Sequence, residues 1–251
     1  MIRLASFAAI IALWQVAALF SDPHRLPGPG PVVLVMLEEA RRGSLFLNLG
    51  ATLARVAAAF ALAMSLGCAI GYVMGRNRLA DKILDPWLVV LLNLPALVVI
   101  VLAYVWAGLN EAAAIGAVAL NKLPGAVVMT REGARALDPM LDEMAQVFHL
   151  PLKARLRHVV LPQLAPYLAA ATRSGLSLVW KIVLVVELLG RSNGVGFEIN
   201  LAFQLFDVRL LLAYALPFVA IMLGVETFLV QPLERHVSRW RGDPARSRHY
   251  V

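Results

Sequence analysis

Three apolar runs constrain this chain more than any other feature: LASFAAIIALWQVAALF at 4–20, AAAFALAMSLGCAIGYVMG at 57–75 and LVVLLNLPALVVIVLAYVWAGL at 88–109. A helix needs about 20 apolar residues to cross about 30 Å of hydrocarbon, and each run approaches or exceeds that length. With no water in the bilayer core, backbone N–H and C=O groups must be satisfied within the segment, so such runs become helices. Composition agrees: of 251 residues, 60% are hydrophobic and 16% charged, whereas a soluble domain carries about a quarter charged. The expected fold is an all-α, polytopic membrane bundle forming one transmembrane domain over 1–251. No loop is long enough to hold a soluble domain.

Six spans are predicted, near 4–20, 50–75, 84–108, 112–133, 164–190 and 210–232. The first reads as a retained helix rather than a cleaved signal peptide, because no small-x-small cleavage pattern follows AALFSDPH. Residues 21–49 form an outer loop with a Pro/Gly turn and a short amphipathic helix from about Val32 to Arg42. The single cysteine, Cys68, excludes an intrachain disulfide. A net charge of +7 would suggest nucleic acid in a soluble protein, but here the placement of basic residues sets orientation. With the N-terminus inside, the inner segments hold 14 of the 23 Lys and Arg residues and the outer segments 5. Both termini are therefore expected in the cytoplasm, with 233–251 a basic tail against lipid headgroups.

One inner segment is unusual. Residues 138–162 read DPMLDEMAQVFHLPLKARLRHVVLP, a hairpin whose first arm has the marks of a helix. Asp138 suits the N-cap and Pro139 the first helical position, and Asp142 and Glu143 favour the positive end of the helix dipole. Met140, Met144, Val147 and Phe148 fall on one apolar stripe. By periodicity alone, such a helix either lies on lipid headgroups or presents this stripe to another protein.

The spacing E-A-A, three residues, G, nine residues, I-x-L-P marks the membrane subunits of binding-protein-dependent ABC importers, and this segment resembles it. Glu143, Ala145, Val159, Leu161 and Pro162 stand at matching positions. Met144 replaces a small residue, and His149 stands where the family has Gly. Histidine tolerates a left-handed backbone better than most residues. GATLARVAAAFALAMSLGCAIGYVMGR, NLPALVVIVLAYVWAGL and SLVWKIVLVVELLGRSNGVGFEI resemble the nitrate/sulfonate/taurine-type branch.

The resemblance implies a type I permease subunit of the bacterial inner membrane, with two cytoplasmic ATPases, an external solute-binding protein and a second permease copy as its expected partners. It makes 138–162 a coupling helix docked on an ATPase through Glu143, Met144, Ala145, Val147, Phe148, His149, Leu150, Val159, Leu161 and Pro162. ATP and magnesium would belong to the ATPase. This chain has no G-x-x-x-x-G-K-[ST] run to hold a nucleotide, and no cofactor is expected on it. The resemblance also sets SNGVGFE, 192–198, near the docked receptor.

Ionisable residues within spans are functional candidates. Arg173 and Glu226 lie at similar depths, about 16 and 13 Å from the inner ends of their spans, and are expected to form a structural ion pair, with substrate contact as the alternative. Lys122, in LNKLPG, and Lys181 either face an anionic solute or pair with Glu187 or a partner carboxylate; Glu187 could instead meet a neighbouring subunit. Asn121 belongs with Lys122 as a pathway candidate, and Asn93 with Pro95 forms a soft spot beside the path. Trp180 is read first as packing, with a pathway role as the alternative. Gly67, Gly71 and Gly75 form a ladder for close helix packing. The five histidines fall in loops or the tail, so no intramembrane metal cluster is expected. A self-contained secondary transporter would need an internal repeat of broken helices, and a membrane enzyme would need paired acid and base groups; neither pattern is present.

Overall fold

The computed structural model describes residues 2–232, all-helical apart from connecting turns. In chain order the helices are α1 (Ile2–Leu19), α2 (Pro29–Arg42), α3 (Ser44–Arg76), α4 (Arg78–Asn93), α5 (Ala96–Ala107), α6 (Glu111–Arg135), α7 (Pro139–Val147), α8 (Leu152–Gly190), α9 (Val195–Gln204) and α10 (Val208–Val230). The expected basic tail lies outside the described residues.

Among the described residues four helices, α3, α6, α8 and α10, are long and apolar enough to cross a membrane. The first expected span is the helix α1, Ile2–Leu19. The expected span at 84–108 is broken at its soft spot: α4 and α5 meet at a bend of 99°. The cause is local. Pro95 lacks a backbone N–H and forces the residue before it out of the helical region, and Leu94 is extended at φ −71°, ψ 123°. Asn93 turns its amide back to the Val89 carbonyl at 2.8 Å.

The hairpin at 138–162 is also shorter than its sequence suggests. Its second arm is already helical from Leu152 and runs through a π-helical turn at Leu156–Val160 into the long part of α8. That turn carries His158, which had been expected in a loop. The outer amphipathic helix begins three residues early, at Pro29, where its fixed φ suits a helix start. The Tyr214 hydroxyl of α10 donates to Glu39 on this helix at 2.9 Å.

Helix α3 packs most extensively on α6, through the glycine ladder. A Cβ on Gly67 would stand 2.6 Å from Ala126 Cβ, one on Gly71 2.5 Å from the Val127 carbonyl, and one on Gly75 2.5 Å from Ala134 Cβ. The facing residues Ala126, Thr130 and Ala134 repeat at the same four-residue interval, so two small-residue stripes meet and the backbones touch. At one end of this pair Arg131 binds Asp85 at 2.5 Å and Arg135 binds Asp81 at 2.5 Å, tying α4 to α6.

Gly71→Leu should force α3 off α6, an overpacking cost of about 1–3 kcal/mol or more, seen as a lower melting temperature of detergent-solubilised protein. Gly50→Leu, on the same helix but facing open space, should melt within about 0.5 kcal/mol of the parent.

Candidate functional site

Three arrangements of polar groups stand out, at the two ends and in the middle of the bundle. The first is the mount of α7. The Asp138 carboxylate accepts the Met140 N–H at 2.9 Å, starting the helix as its sequence suggests. At the other end His149 takes φ +48°, the left-handed conformation normally given to glycine. The His149 N–H reaches the Gln146 carbonyl and the Leu150 N–H the Ala145 carbonyl, both at 2.9 Å. The turn therefore closes with histidine in the glycine position.

One face of α7 is fastened to the bundle. Ala145 is buried, and Asp142 sits between Arg76 of α3 and Arg155 of α8, 2.6 Å from each. The Asp138 N–H donates to Gln163 of α8 at 2.8 Å. The opposite face carries Met140, Met144, Val147 and Phe148 in the open, with Phe148 72% exposed. Glu143 and His149 are exposed and Leu150 is half-buried. Leu161 and Pro162 are exposed too, but Val159 is buried inside the bundle and is not presented to a partner.

The second arrangement is a cleft of about 740 Å³ between α8 and α10. Helix α8 lines it with Arg173, Ser174, Ser177, Trp180 and Lys181, and α10 with an apolar wall that includes Phe218 and Met222 and ends at Glu226. Arg173 Nε lies 3.4 Å from Glu226 Oε1. Lys181 makes no ion pair or hydrogen bond among the described residues.

Of the pathway candidates, Trp180 and Lys181 line this cleft, whereas Lys122, Asn121 and Asn93 do not. Lys122 is buried at 3% exposure, with its stem against Gly175, where any Cβ would collide with it. At 100° per residue, Gly175 lies on the side of α8 turned away from Arg173 and Ser177. Lys122 is thus walled off from the cleft by α8 itself.

The third arrangement lies toward the opposite end from α7. Arg55 of α3 makes a two-pronged contact with Glu111 at 2.7 and 2.9 Å. It also binds Glu187 of α8 at 2.6 Å and the Asn193 carbonyl at 2.9 Å. Arg55 is 4% exposed and Glu187 is fully buried. The second Glu187 oxygen accepts from Thr52 at 2.9 Å and from the Gly196 N–H at 2.8 Å. Gly194, at φ +110°, is the only residue type that fits here, because a Cβ would strike both Glu187 and Arg55.

Glu187 is therefore the partner of neither lysine and cannot reach a neighbouring subunit. The segment 192–198 is half turn and half helix, since α9 begins at Val195. Its Glu198 accepts from Asn48 at 2.8 Å. Burial pushes the Glu198 carboxyl above its ordinary range, and this hydrogen bond pulls the other way. Among the described residues, no group of three His, Cys, Asp or Glu side chains could hold a metal ion.

Sequence reasoning missed the Arg55–Glu111–Glu187 knot. The available signal was a lone arginine inside one span and a lone glutamate inside another. Matching their depths required knowing that α3 starts at Ser44, eleven residues before Arg55.

A transmembrane bundle with a fastened but outward-facing short helix defines the membrane component of a transport machine. Residues 49–239 match the family of binding-protein-dependent transport system inner membrane components, and the chain belongs to that family. It is 32% identical over 236 residues to the aliphatic sulfonates transport permease protein SsuC of Bacillus subtilis (strain 168), covering 93% of this chain and 85% of that one. It is 28% identical to the bicarbonate transport system permease protein CmpB of Synechococcus elongatus (strain ATCC 33912 / PCC 7942 / FACHB-805), over 81% of this chain and 77% of that one. The fold is similar to the MetNI methionine ABC transporter in inward-facing conformations, with TM-score 0.63 and 16% identity over 74% of this chain and 92% of that one. The chain is accordingly a multi-pass inner-membrane permease subunit of an ABC importer.

Arg55→Met would leave Glu187 buried without its cation, a loss of about 3–5 kcal/mol, and should markedly lower the melting temperature of the solubilised protein. Arg55→Lys should rescue only part of it, because lysine cannot bind Glu111 through two prongs while also reaching Glu187.

Proposed function

We propose that two copies of this chain form an ATP-driven path for a small organic anion, with the α7 end in the cytoplasm. The observation that carries the reading is α7: four apolar side chains held outward on a helix whose other face is clamped to α3 and α8 by Asp142. An ATPase groove covering that stripe would gain hydrophobic contact, and the clamp would pass its movement into two membrane helices at once. The concentration of Arg76, Arg131, Arg135 and Arg155 at this end favours a cytoplasmic position.

In this mechanism nucleotide binding draws the two α7 helices together and opens the path outward, and hydrolysis resets it. No covalent chemistry takes place on this chain, and ATP with its magnesium stays on the partner. A solute-binding protein delivers cargo at the opposite end, where the Arg55 knot holds 192–198 as a stiff platform. The cargo's charge is inferred from Lys181, a cation in the cleft without a partner among the described residues, and from the sulfonate and bicarbonate named for the relatives. The cleft's apolar wall favours an organic anion over an inorganic one.

Phe148→Asp should abolish co-purification with the ATPase and uptake into proteoliposomes while leaving the melting temperature within about 1 °C, because the side chain is exposed. Uptake driven by an ion gradient without any ATPase would overturn the reading. Lys181→Met should lower uptake of an alkanesulfonate about tenfold or more, the scale of one lost charge-assisted contact.

A further inference from the structure

The cleft between α8 and α10 holds two cations in different electrostatic states. Lys181 has no partner among the described residues, whereas Arg173 already has a carboxylate, Glu226, 3.4 Å away. Eight residues separate them on α8, about 12 Å along the helix, and Ser174 and Ser177 stand between them on the same wall. The two cations therefore stand at different depths of one cleft. The serine hydroxyls offer hydrogen bonds on the way.

The inner pair is not sealed away. The Arg173 side chain is 51% exposed and that of Glu226 23%, and both line the cleft. Glu226 also begins a π-helical turn, Glu226–Val230, a local widening of the helix often found at functional positions. A purely structural ion pair in a membrane is normally buried between helices. This one forms part of a cleft wall instead.

We propose that Arg173 is a second anion station, nearer the α7 end, and that Glu226 is a built-in competitor which displaces the cargo from it. This rests on the reading of the cleft as the anion's path. At Lys181 the anion meets an unopposed cation and is held. On moving inward it meets Arg173 only by displacing Glu226, and the returning carboxylate expels it. Two sites of unequal hold, the second weakened by an internal rival, allow capture without trapping. A single strong site would bind cargo and release it slowly.

The test uses the full-length chain in lipid nanodiscs titrated calorimetrically with butane-1-sulfonate, and the complete transporter in proteoliposomes. Glu226→Gln neutralises this competitor, so sulfonate should bind at Arg173 more readily: binding tightens about tenfold while the uptake rate falls several-fold. Arg173→Gln should leave the parent affinity unchanged, since that is set at Lys181, and should also slow uptake. The double variant Arg173→Gln/Glu226→Gln should return to the parent affinity, which a loss of folding would not produce. The charge-swapped pair Arg173→Glu/Glu226→Arg serves as a second route: it keeps an ion pair and should restore uptake.

Unchanged affinity in folded Glu226→Gln, with Lys181→Met abolishing binding, would overturn the second station while keeping the cleft as the path. Unchanged binding in Lys181→Met would overturn both.

Discussion

Direct backbone contact between α3 and α6 is the constraint on which the rest of the molecule depends. Lipid tails are as apolar as leucine, so burial gives little drive for helices to associate in a membrane, and close packing of small residues has to supply it. Gly67, Gly71 and Gly75 against Ala126, Thr130 and Ala134 do so over a little more than two turns. The two ends of this rigid pair then carry the polar hardware. Arg76, at the end of α3, clamps Asp142 of α7, and Arg55, a third of the way along α3, gathers Glu111 from α6 and Glu187 from α8.

The distribution of charge follows a division between stiff and yielding parts. Where elements must move as one body, charges are paired and buried: a carboxylate such as Glu187, with no exposure, persists only because Arg55, Thr52 and the Gly196 N–H all meet it. Along the proposed path of the solute, the pairing is looser. The α8–α10 cleft keeps Lys181 open to solvent and leaves Arg173 half-exposed beside Glu226. In the proposed mechanism the stiff unit of α3, α6 and the α7 mount transmits force, and the cleft is where a change in helix spacing would alter access.

Much of this was legible along the chain. The caps of α7 at Asp138 and Pro139, its exposed stripe and the left-handed His149 are local matters of backbone chemistry and periodicity. The glycine ladder is a four-residue repeat within one helix, and the Arg173–Glu226 contact follows from equal depths in neighbouring spans. The bend at Leu94 was only half legible: Asn93 and Pro95 marked a soft spot, but not that the chain would turn through 99° there. Lys122 was misplaced for a different reason. Its position in α6 says nothing about which side of α8 it meets, and it meets the side carrying Gly175.

Sequence by itself determined the solvent: runs of about twenty apolar residues admit helices in a bilayer because no other local structure satisfies their backbone. It also determined the shape of α7, whose signals lie within one helical turn of each end. Only the tertiary structure decided which charges are partners. Arg55 and Glu187 are 132 residues apart, and nothing in the order of residues distinguishes that pairing from Glu187 with Lys122 or Lys181. The choice is made by helix rotation, which is set by the small-residue contacts between helices and determines which side chains share an interior.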